Sequence, residues 1–231
     1  SALLAGCGHK QTGVEVPPPP APQTPAPSGE STANAESAGN EIKVAPDAKP
    51  IFEQTGIASW YGPPYHNRRG SNGEIYNMNA MTAAHLTLPL GSIVRVTNVK
   101  TGHSALLRIT DRGPFVEGRI LDLSLAAAKA LDVYLPGTAQ VRLEVLEAPA
   151  ALDSGGRWCV QIGSFANEKG AAELARRLQR RYQTANVLKF PSPTGRWWVR
   201  VRVLDDNRQR AQTLFRENEI AEAPVFLVRL D

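Results

Sequence analysis

Residues 92–110 read SIVRVTNVKTGHSALLRIT, and their pattern is the clearest indication of the fold of the first module. Apolar and polar residues alternate on both sides of Lys100-Thr101-Gly102, which is typical of a tight turn between two antiparallel strands. Similar alternation predicts further strands at residues 56–61 and 140–146. Many short strands separated by Gly and Pro favour a small β-barrel, which we expect to occupy residues 54–147.

Residues 157–231 predict a second folded module of mixed type. Alternating segments predict four strands, at residues 158–162, 185–190, 197–203 and 225–230. Two amphipathic helices lie between them, and we expect Asn167 and Asp206 to cap their N-termini. The resulting order, βαββαβ, gives a four-stranded antiparallel sheet with both helices on one face.

The second face of that sheet carries candidate binding residues. Because side chains alternate along a strand, the helices are expected to cover the face of Val199 and Val201. The other face is then expected to be open, with an aromatic ring and several polar groups: Cys159, Gln161, Trp198, Arg200 and Arg202. This pattern fits an ordinary solvated face or a ligand platform, in which the ring stacks on a sugar and the cations bind oxygen atoms.

The 231 residues carry a formal net charge of +4, which is unevenly distributed. Residues 157–231 hold 14 basic and 8 acidic side chains, so the basic excess does not support a nucleic-acid-binding function for the whole chain. The two cysteines, Cys7 and Cys159, form neither a disulfide framework nor a metal-binding spacing. We therefore expect no metal and no cofactor, and a free, structural thiol at Cys159.

The N-terminal region resembles that of a bacterial lipoprotein. Leu4-Ala5-Gly6-Cys7 resembles a lipobox, which implies that residues 1–6 are the remnant of a signal peptide and that Cys7 is acylated. A buried cysteine after a few apolar residues is the alternative. Residues 7–53 are rich in Pro, Ala and Ser and predict a disordered tether, of which about 30 residues reach roughly 90–100 Å when extended. Residues 148–156 predict a second, shorter linker.

Three polar residues of the predicted barrel stand near turn-forming sequences. Glu74 follows an Asn-Gly pair, Asp111 precedes an Arg-Gly-Pro sequence, and His85 lies between the two acids along the chain. Two carboxylates in unequal environments are what cleavage of a glycosidic bond needs, because one must donate a proton while the other stays ionised. A turn-forming or ion-paired acid and a satisfied polar histidine are the alternatives.

Three further residues of this region have two interpretations each. Asp122 is a competing carboxylate, but it precedes an Ala- and Leu-rich segment, residues 123–131, which predicts a helix that Asp122 caps. Trp60 and Tyr61 either line a sugar subsite by stacking on ring faces or belong to the barrel core.

Seven motifs of the barrel follow one another in the order of a known family: Gly56-Ile57-Ala58-Ser59-Trp60-Tyr61-Gly62, Asn72-Gly73-Glu74, Met81-Thr82-Ala83-Ala84-His85, Leu88-Pro89-Leu90-Gly91, Val96-Thr97-Asn98, Asp111-Arg112-Gly113-Pro114-Phe115 and Ile120-Leu121-Asp122-Leu123-Ser124. Together they resemble the rare lipoprotein A family of septal lytic transglycosylases, whose catalytic domain is a six-stranded double-psi β-barrel. The family's essential residues fall here on Glu74, His85 and Asp111. One departure is visible, because Arg69-Gly70-Ser71-Asn72 replaces Arg-Thr-Ala-Asn or Arg-Thr-Ala-Ser.

This resemblance implies a lyase that cleaves the β-1,4 bond between N-acetylmuramic acid and N-acetylglucosamine and leaves a 1,6-anhydro end. Asp111 would be the acid and base, and an ionised Glu74 would stabilise the oxocarbenium-like transition state. His85 would hydrogen-bond one of these carboxylates or the substrate. Two alternatives stay open: an expansin-like barrel that binds glycan without cutting it, and a hydrolase that leaves a reducing end.

The second module resembles the SPOR domain, an RNP-like fold that binds septal glycan strands stripped of their peptides. The resemblance rests on RWCVQIGSF at residues 157–165 and on WVRV from Trp198 onward. It implies these glycan-binding residues: Gln161, Ser164, Trp198, Arg200 and Arg202. An RNA-binding sheet of similar topology is the competing idea, but the third strand lacks the aromatic-rich pattern that such a sheet uses.

These resemblances predict a periplasmic enzyme that acts at the septum and is anchored to the outer membrane. Its expected partners are peptide-free peptidoglycan strands, the outer membrane through a lipid on Cys7, and proteins of the division machinery. We expect no nucleic-acid partner, and we expect a monomer.

Overall fold

A computed structural model describes residues 48–182, 186–191, 195–218 and 223–231, together with residues 42, 44 and 45. The predicted lipidation site at Cys7, the signal-peptide remnant and most of the proline-rich tether lie outside the described residues. The two folded modules belong to one compact unit. Within the described ranges, no helix has the length and apolar character needed to span a bilayer.

The first module is a closed barrel of six strands, which confirms the predicted barrel. The strands are β1 (Phe52–Trp60), β2 (Thr82–Ala84), β3 (Ile93–Asn98), β4 (Ser104–Asp111), β5 (Arg119–Leu123) and β6 (Thr138–Glu147), and helix α1 (Leu125–Ala130) connects the last two. Around the barrel the order is β1-β5-β2-β4-β3-β6. The pairs β1–β5 and β2–β4 are parallel, and the other four pairs are antiparallel.

The β3–β4 hairpin forms where the alternating sequence predicted it. The side-chain oxygen of Asn98 accepts hydrogen bonds from the backbone N–H groups of Lys100 and Thr101, at 2.9 and 3.3 Å, and thereby closes the turn. Inward-facing residues of the two strands, among them Val94 and Leu107, are fully buried in the barrel core. Burial of each such side chain stabilises the fold by about 1.5–3 kcal/mol.

The prediction that Asp122 caps helix α1 is wrong. Asp122 lies inside β5, where it pairs in register with Ser59 of β1 and Ala84 of β2. Ser124 is the cap, because its hydroxyl accepts a hydrogen bond from the backbone N–H of Ala127 at 3.1 Å. The chain is still extended at Asp122, and because its neighbours Leu121 and Leu123 fill the barrel core, its carboxylate faces outward into a cavity instead of capping the helix.

The second module has the predicted βαββαβ order and antiparallel sheet. It consists of β7 (Trp158–Phe165), α2 (Glu168–Arg181), β8 (Asn186–Pro191), β9 (Trp197–Arg202), α3 (Arg208–Glu217) and β10 (Val225–Arg229), with the sheet order β10-β7-β9-β8. Asn167 caps α2 as predicted, by accepting from the N–H of Gly170 at 3.1 Å. The predicted cap at Asp206 is wrong: Asn207 caps α3, because Asp206 lies one residue too early and pairs with Arg202 instead.

The prediction that the second face of this sheet is open is wrong, because the barrel covers part of it. Four side chains of that face form a buried cluster with barrel residues: Cys159, Trp198, Phe226 and Val228 of the module against Leu86 and Phe115 of the barrel. The Phe115 ring lies 5.3 Å from the Trp198 ring and 5.6 Å from the Phe226 ring, measured between centroids. The module is therefore packed onto the barrel through an apolar contact.

Polar contacts around Arg112 reinforce this junction. The Arg112 guanidinium is buried and donates to the backbone carbonyls of His85 at 3.0 Å and Leu88 at 2.6 Å, both in the barrel. It also donates to the backbone oxygen of Asp231 at 2.6 Å, in the second module. The backbone N–H of Arg229 donates to the carbonyl of Leu86 at 3.0 Å. One buried cation thus bonds to carbonyls of both modules.

Candidate active site

Asp111 lies at the end of β4, and one of its carboxylate oxygens is held by three donors. Oδ1 accepts from the backbone N–H of Ser71 at 2.9 Å, from the Ser71 hydroxyl at 2.5 Å and from the backbone N–H of Arg112 at 2.8 Å. No donor among the described residues bonds to Oδ2. The carboxylate is therefore fixed in orientation, and Oδ2 is the oxygen available for proton exchange with a substrate.

A second acid lies on the same side of the barrel as Asp111, separated from it by strand β2. Ala84 of β2 pairs in register with Asp111 on one side and with Asp122 on the other, which places the two acid backbones roughly 10 Å apart at ordinary strand spacing. Burial raises the pKa of Asp122, and the charge of Asp111 acts in the same direction. Arg119 and the hydroxyl of Ser59, which donates to Asp122 Oδ1, act against this shift. The two acids have unequal environments, as acid–base chemistry requires.

The backbone between these acids carries almost no side-chain volume. Gly113 has a φ of +149°, a region that favours glycine. A Cβ at Gly113 would lie 3.6 Å from Oδ2 of Asp122 and 3.7 Å from the Cβ of Ala84. Ala84 and Gly113 therefore form a narrow floor between Asp111 and Asp122.

Glu74 lies on the loop that crosses the end of β4, and its side chain is 55% exposed. Arg108 of β4 binds it through two hydrogen bonds, Nη1 to Oε1 at 3.0 Å and Nη2 to Oε2 at 2.8 Å. These bonds lower the pKa of Glu74 and keep its carboxylate ionised. The loop itself is tied to β4, because the N–H of Asn72 donates to the carbonyl of Thr110 at 3.2 Å.

Two cavities meet at Asp111. The smaller, of about 110 Å³, contains Glu74 and Asp111 together. The larger, of about 560 Å³, contains Asp111 and Asp122, and its volume is within the range of about 300–1,000 Å³ that ligand sites usually have. The structure thus brings both predicted acids together and adds Asp122 as a third.

The His85 side chain was predicted to hydrogen-bond a carboxylate or the substrate; among the described residues its ring bonds neither acid, and the bond to the substrate stays a prediction. Its Nδ1 accepts from the backbone N–H groups of Thr87 at 3.1 Å and Leu88 at 3.0 Å, and its Nε2 lies 3.3 Å from Oε1 of Gln54. Both ring nitrogens are therefore engaged on the buried side of the barrel. The backbone N–H of His85 donates to the carbonyl of Asp111 at 3.1 Å, so His85 helps to position the backbone of this acid.

The buried ring of His85 predicts acid sensitivity of the fold. Burial lowers the pKa of His85 to about 3, whereas the unfolded value is about 6.5. Between these values the unfolded chain binds more protons, so the stabilising contribution is complete above pH 6.5 and is lost as the pH falls towards 3. We expect this residue alone to change the free energy of unfolding by up to about 1.4 kcal/mol per pH unit in that window.

His85→Asn tests this expectation, because the Asn carbonyl can replace Nδ1 as acceptor but does not titrate. Urea unfolding of both proteins between pH 4 and 7.5 should give a shallower pH dependence for the variant, by about one proton. Identical pH dependences would contradict the assignment of a neutral, buried imidazole.

The two predicted aromatic residues have different locations. Trp60 packs against the barrel core and lies 5.1 Å from the Tyr134 ring, so the structure favours its core interpretation. Tyr61 lines the larger cavity, where its ring stacks on that of Tyr76 at 4.4 Å and meets the edge of Tyr65 at 5.7 Å. This places a wall of aromatic rings beside the acids.

The larger cavity also contains residues of the second module. Four of the five glycan-binding residues that the SPOR resemblance implied line it: Gln161, Ser164, Trp198 and Arg200. Arg200 donates to the side-chain oxygen of Gln161 at 2.9 Å. The fifth, Arg202, is not among the lining residues; Asp206 binds its guanidinium at 3.2 and 2.7 Å.

Five residues that line the larger cavity were not predicted from the sequence: Tyr65, Ser71, Tyr76, Arg119 and Arg196. The tyrosines carried a usable signal, since three tyrosines within sixteen residues of one another in a Gly- and Asn-rich segment suggest an aromatic wall. Ser71 and Arg196 carried none, because their contacts depend on how distant segments meet.

Comparison with known families assigns both modules. A family model described as lytic transglycolase matches residues 53–143, and a SPOR domain model matches residues 154–217. These ranges coincide with the barrel and with most of the second module.

Several curated proteins are similar to this chain. Endolytic peptidoglycan transglycosylase RlpA of Helicobacter pylori is 45% identical over 152 residues, which are 54% of this chain and 48% of that protein. RlpA of Campylobacter jejuni is 40% identical over 164 residues, 61% of this chain and 60% of that protein. RlpA of Neisseria meningitidis is 57% identical over 93 residues, 40% of this chain and 39% of that protein. The chain thus spans about half the length of these relatives.

Proposed function

Because the chain belongs to the rare lipoprotein A family, with a double-psi β-barrel followed by a C-terminal SPOR domain, we propose that it is an endolytic peptidoglycan lytic transglycosylase. Its substrate is the β-1,4 bond between N-acetylmuramic acid and N-acetylglucosamine. The observation that carries this proposal is the position of Asp111, whose carboxylate is fixed at the meeting point of two cavities that hold further acids.

Asp111 is the acid and base of the proposed reaction. Its carboxyl group donates a proton to the glycosidic oxygen, and the bond between that oxygen and C1 of N-acetylmuramic acid breaks. The 6-hydroxyl of the same sugar then attacks C1 and returns its proton to Asp111, so a 1,6-anhydro ring closes and no water is consumed. The bonds from Ser71 and Arg112 to Oδ1 favour Oδ2 as the oxygen that exchanges the proton.

Glu74 supplies negative charge near the reacting sugar in this proposal. Its low pKa, which is due to Arg108, keeps it ionised while C1 develops positive charge. His85 is a positioning residue, because its backbone bonds Asp111 and its ring bonds other backbone groups.

The cellular setting is part of the same proposal. Acylation of Cys7 anchors the protein to the outer membrane, and the tether over residues 7–53 carries the folded modules, which span residues 54–147 and 157–231, into the periplasm. The SPOR domain recruits the enzyme to peptide-free strands at the septum, where it acts in the separation of daughter cells beside proteins of the division machinery.

The products of glycan cleavage test the proposed function. Incubation of the protein with peptide-free glycan strands, followed by mass analysis, is expected to yield fragments that end in 1,6-anhydro-N-acetylmuramic acid. These fragments are about 18 Da lighter than the hydrolytic products, because water is not added across the bond that breaks.

Two other results would overturn this proposal in different ways. Fragments with reducing ends would make the protein a hydrolase of the same glycan. Strands that bind but remain whole would make the barrel an expansin-like binding domain, and the roles of Asp111 and Glu74 would be lost.

A further inference from the structure

The face of the SPOR sheet that carries the candidate glycan-binding residues is not a separate surface. Cys159 and Trp198 on this face are buried against barrel residues, with relative exposures of 0% and 7%. The polar residues beside them, Gln161 and Arg200, line the same cavity as Asp111 and Asp122. A ligand that touches this part of the sheet therefore touches the barrel as well.

The walls of this cavity are complementary in chemistry. The barrel contributes two acids, the Tyr61 and Tyr65 rings and several arginines, among them Arg68 and Arg119, and the module contributes an indole and further polar donors. Two contacts within the module fix its side of the cavity. Arg196 donates to the hydroxyl of Ser164 at 2.6 Å. Gly163 leaves room for the Trp198 ring, because a Cβ at Gly163 would lie 2.3 Å from that ring. Aromatic faces and planar cations together are what a sugar chain with carboxylate substituents requires.

From this shared cavity we infer that the barrel and the SPOR sheet form one composite glycan site, in which Arg200, held beside the buried Trp198 ring, binds the strand that Asp111 cleaves. The inference rests on the proposed function for the cleavage step and extends it, because it makes the SPOR residues part of the catalytic cleft as well as of recruitment. A module that only recruits would present its binding face away from the acids.

The test uses a peptide-free tetrasaccharide, which is too short to occupy two separate sites at once. In a composite site, Arg200→Gln lowers kcat/KM for this short substrate by about 10- to 100-fold, mainly through KM, because a charged donor to the glycan is lost. Arg216→Gln, an exposed arginine of α3 that does not line the cavity, is the matched control and should leave kcat/KM unchanged. Arg196→Gln, in an exposed cavity residue, gives a second variant should Arg200→Gln fold poorly.

An unchanged kcat/KM for the tetrasaccharide, combined with weaker cleavage of long strands, would overturn the inference and leave the proposed function intact. Titration calorimetry tests the composite site by binding alone, without any cleavage step. Arg68 is an exposed barrel residue that lines the same cavity. In the Asp111→Asn background, the tetrasaccharide should bind at one site per chain, and both Arg68→Gln in the barrel and Arg200→Gln in the module should weaken that single binding event. This result would support the composite site even if no cleavage were found, whereas an effect of only one of the two variants would contradict it.

Discussion

Asp111→Asn is expected to abolish 1,6-anhydro product formation while leaving the fold and glycan binding intact. Asparagine keeps the Oδ1 acceptor for Ser71 and Arg112 but cannot exchange a proton at the position of Oδ2. General acid–base catalysis contributes about 100- to 10,000-fold to a rate, so cleavage should fall by at least that factor. The measurement is the initial rate of anhydro-product formation from peptide-free strands, together with strand binding and the melting midpoint.

The matched control for this change is Asp205→Asn. Asp205 is exposed in the second module and has a φ of 58°, a conformation that asparagine adopts readily. The Asp205→Asn substitution makes the same chemical change outside both cavities that contain Asp111, so the cleavage rate of this variant should equal that of the unmodified protein. A rate for Asp111→Asn within a few-fold of this control would remove Asp111 from the mechanism.

Arg112→Met is expected to destabilise the fold more than any other substitution proposed for this chain. Methionine has a similar length but no donors, so buried carbonyls of His85, Leu88 and Asp231 lose their partner. Burial lowers the pKa of Arg112 only to about 10, so the side chain is charged at neutral pH and its bonds are of the strong, charge-assisted kind. We expect a loss of about 3–5 kcal/mol in the free energy of unfolding.

The effect of Arg112→Met should extend beyond the melting midpoint. Because the guanidinium bonds backbone oxygens of both modules, its removal should also loosen their junction. Hydrogen exchange should then rise at the N–H groups of Leu90 and Arg229, which donate across the junction to Asp231 and Leu86, before it rises in the barrel core. Arg142→Met, in an exposed arginine of β6 with only a 3.8 Å ion pair, is the control and should change stability by less than about 1 kcal/mol. Equal stabilities for the two variants would show that the buried cation is dispensable.

Local sequence patterns predicted the parts of the fold that are decided locally. The alternation of residues 92–110 and the turn at Gly102 depend only on neighbours in the chain, and the β3–β4 hairpin formed as predicted. The Asn167 cap depends on residues three positions away and was also predicted. The three-residue strand β2 was not, because so short a segment is extended only through its pairing with β4 and β5.

Two of the failures, at Asp122 and at the second sheet face, concern residues whose partners lie far along the chain. Asp122 has the local sequence of a helix cap, but in the folded barrel its carboxylate accepts a hydrogen bond from the hydroxyl of Ser59, 63 positions earlier. The closed sheet face was misjudged for the same reason, although Phe226 and Val228 offered a signal. Both faces of β10 are apolar, and such a strand is usually buried on both sides.

The narrow floor of Ala84 and Gly113 has a consequence for how this cleft can be altered. How far a glycan can enter between Asp111 and Asp122 depends on the small side-chain volume at Ala84 and Gly113. A larger side chain at Ala84 would restrict the thickness of the chain that enters while leaving every charge of the site unchanged, whereas the positive φ of Gly113 keeps that position a glycine. Substrate admission and proton transfer are thus governed by different residues, and the first can be varied without the second.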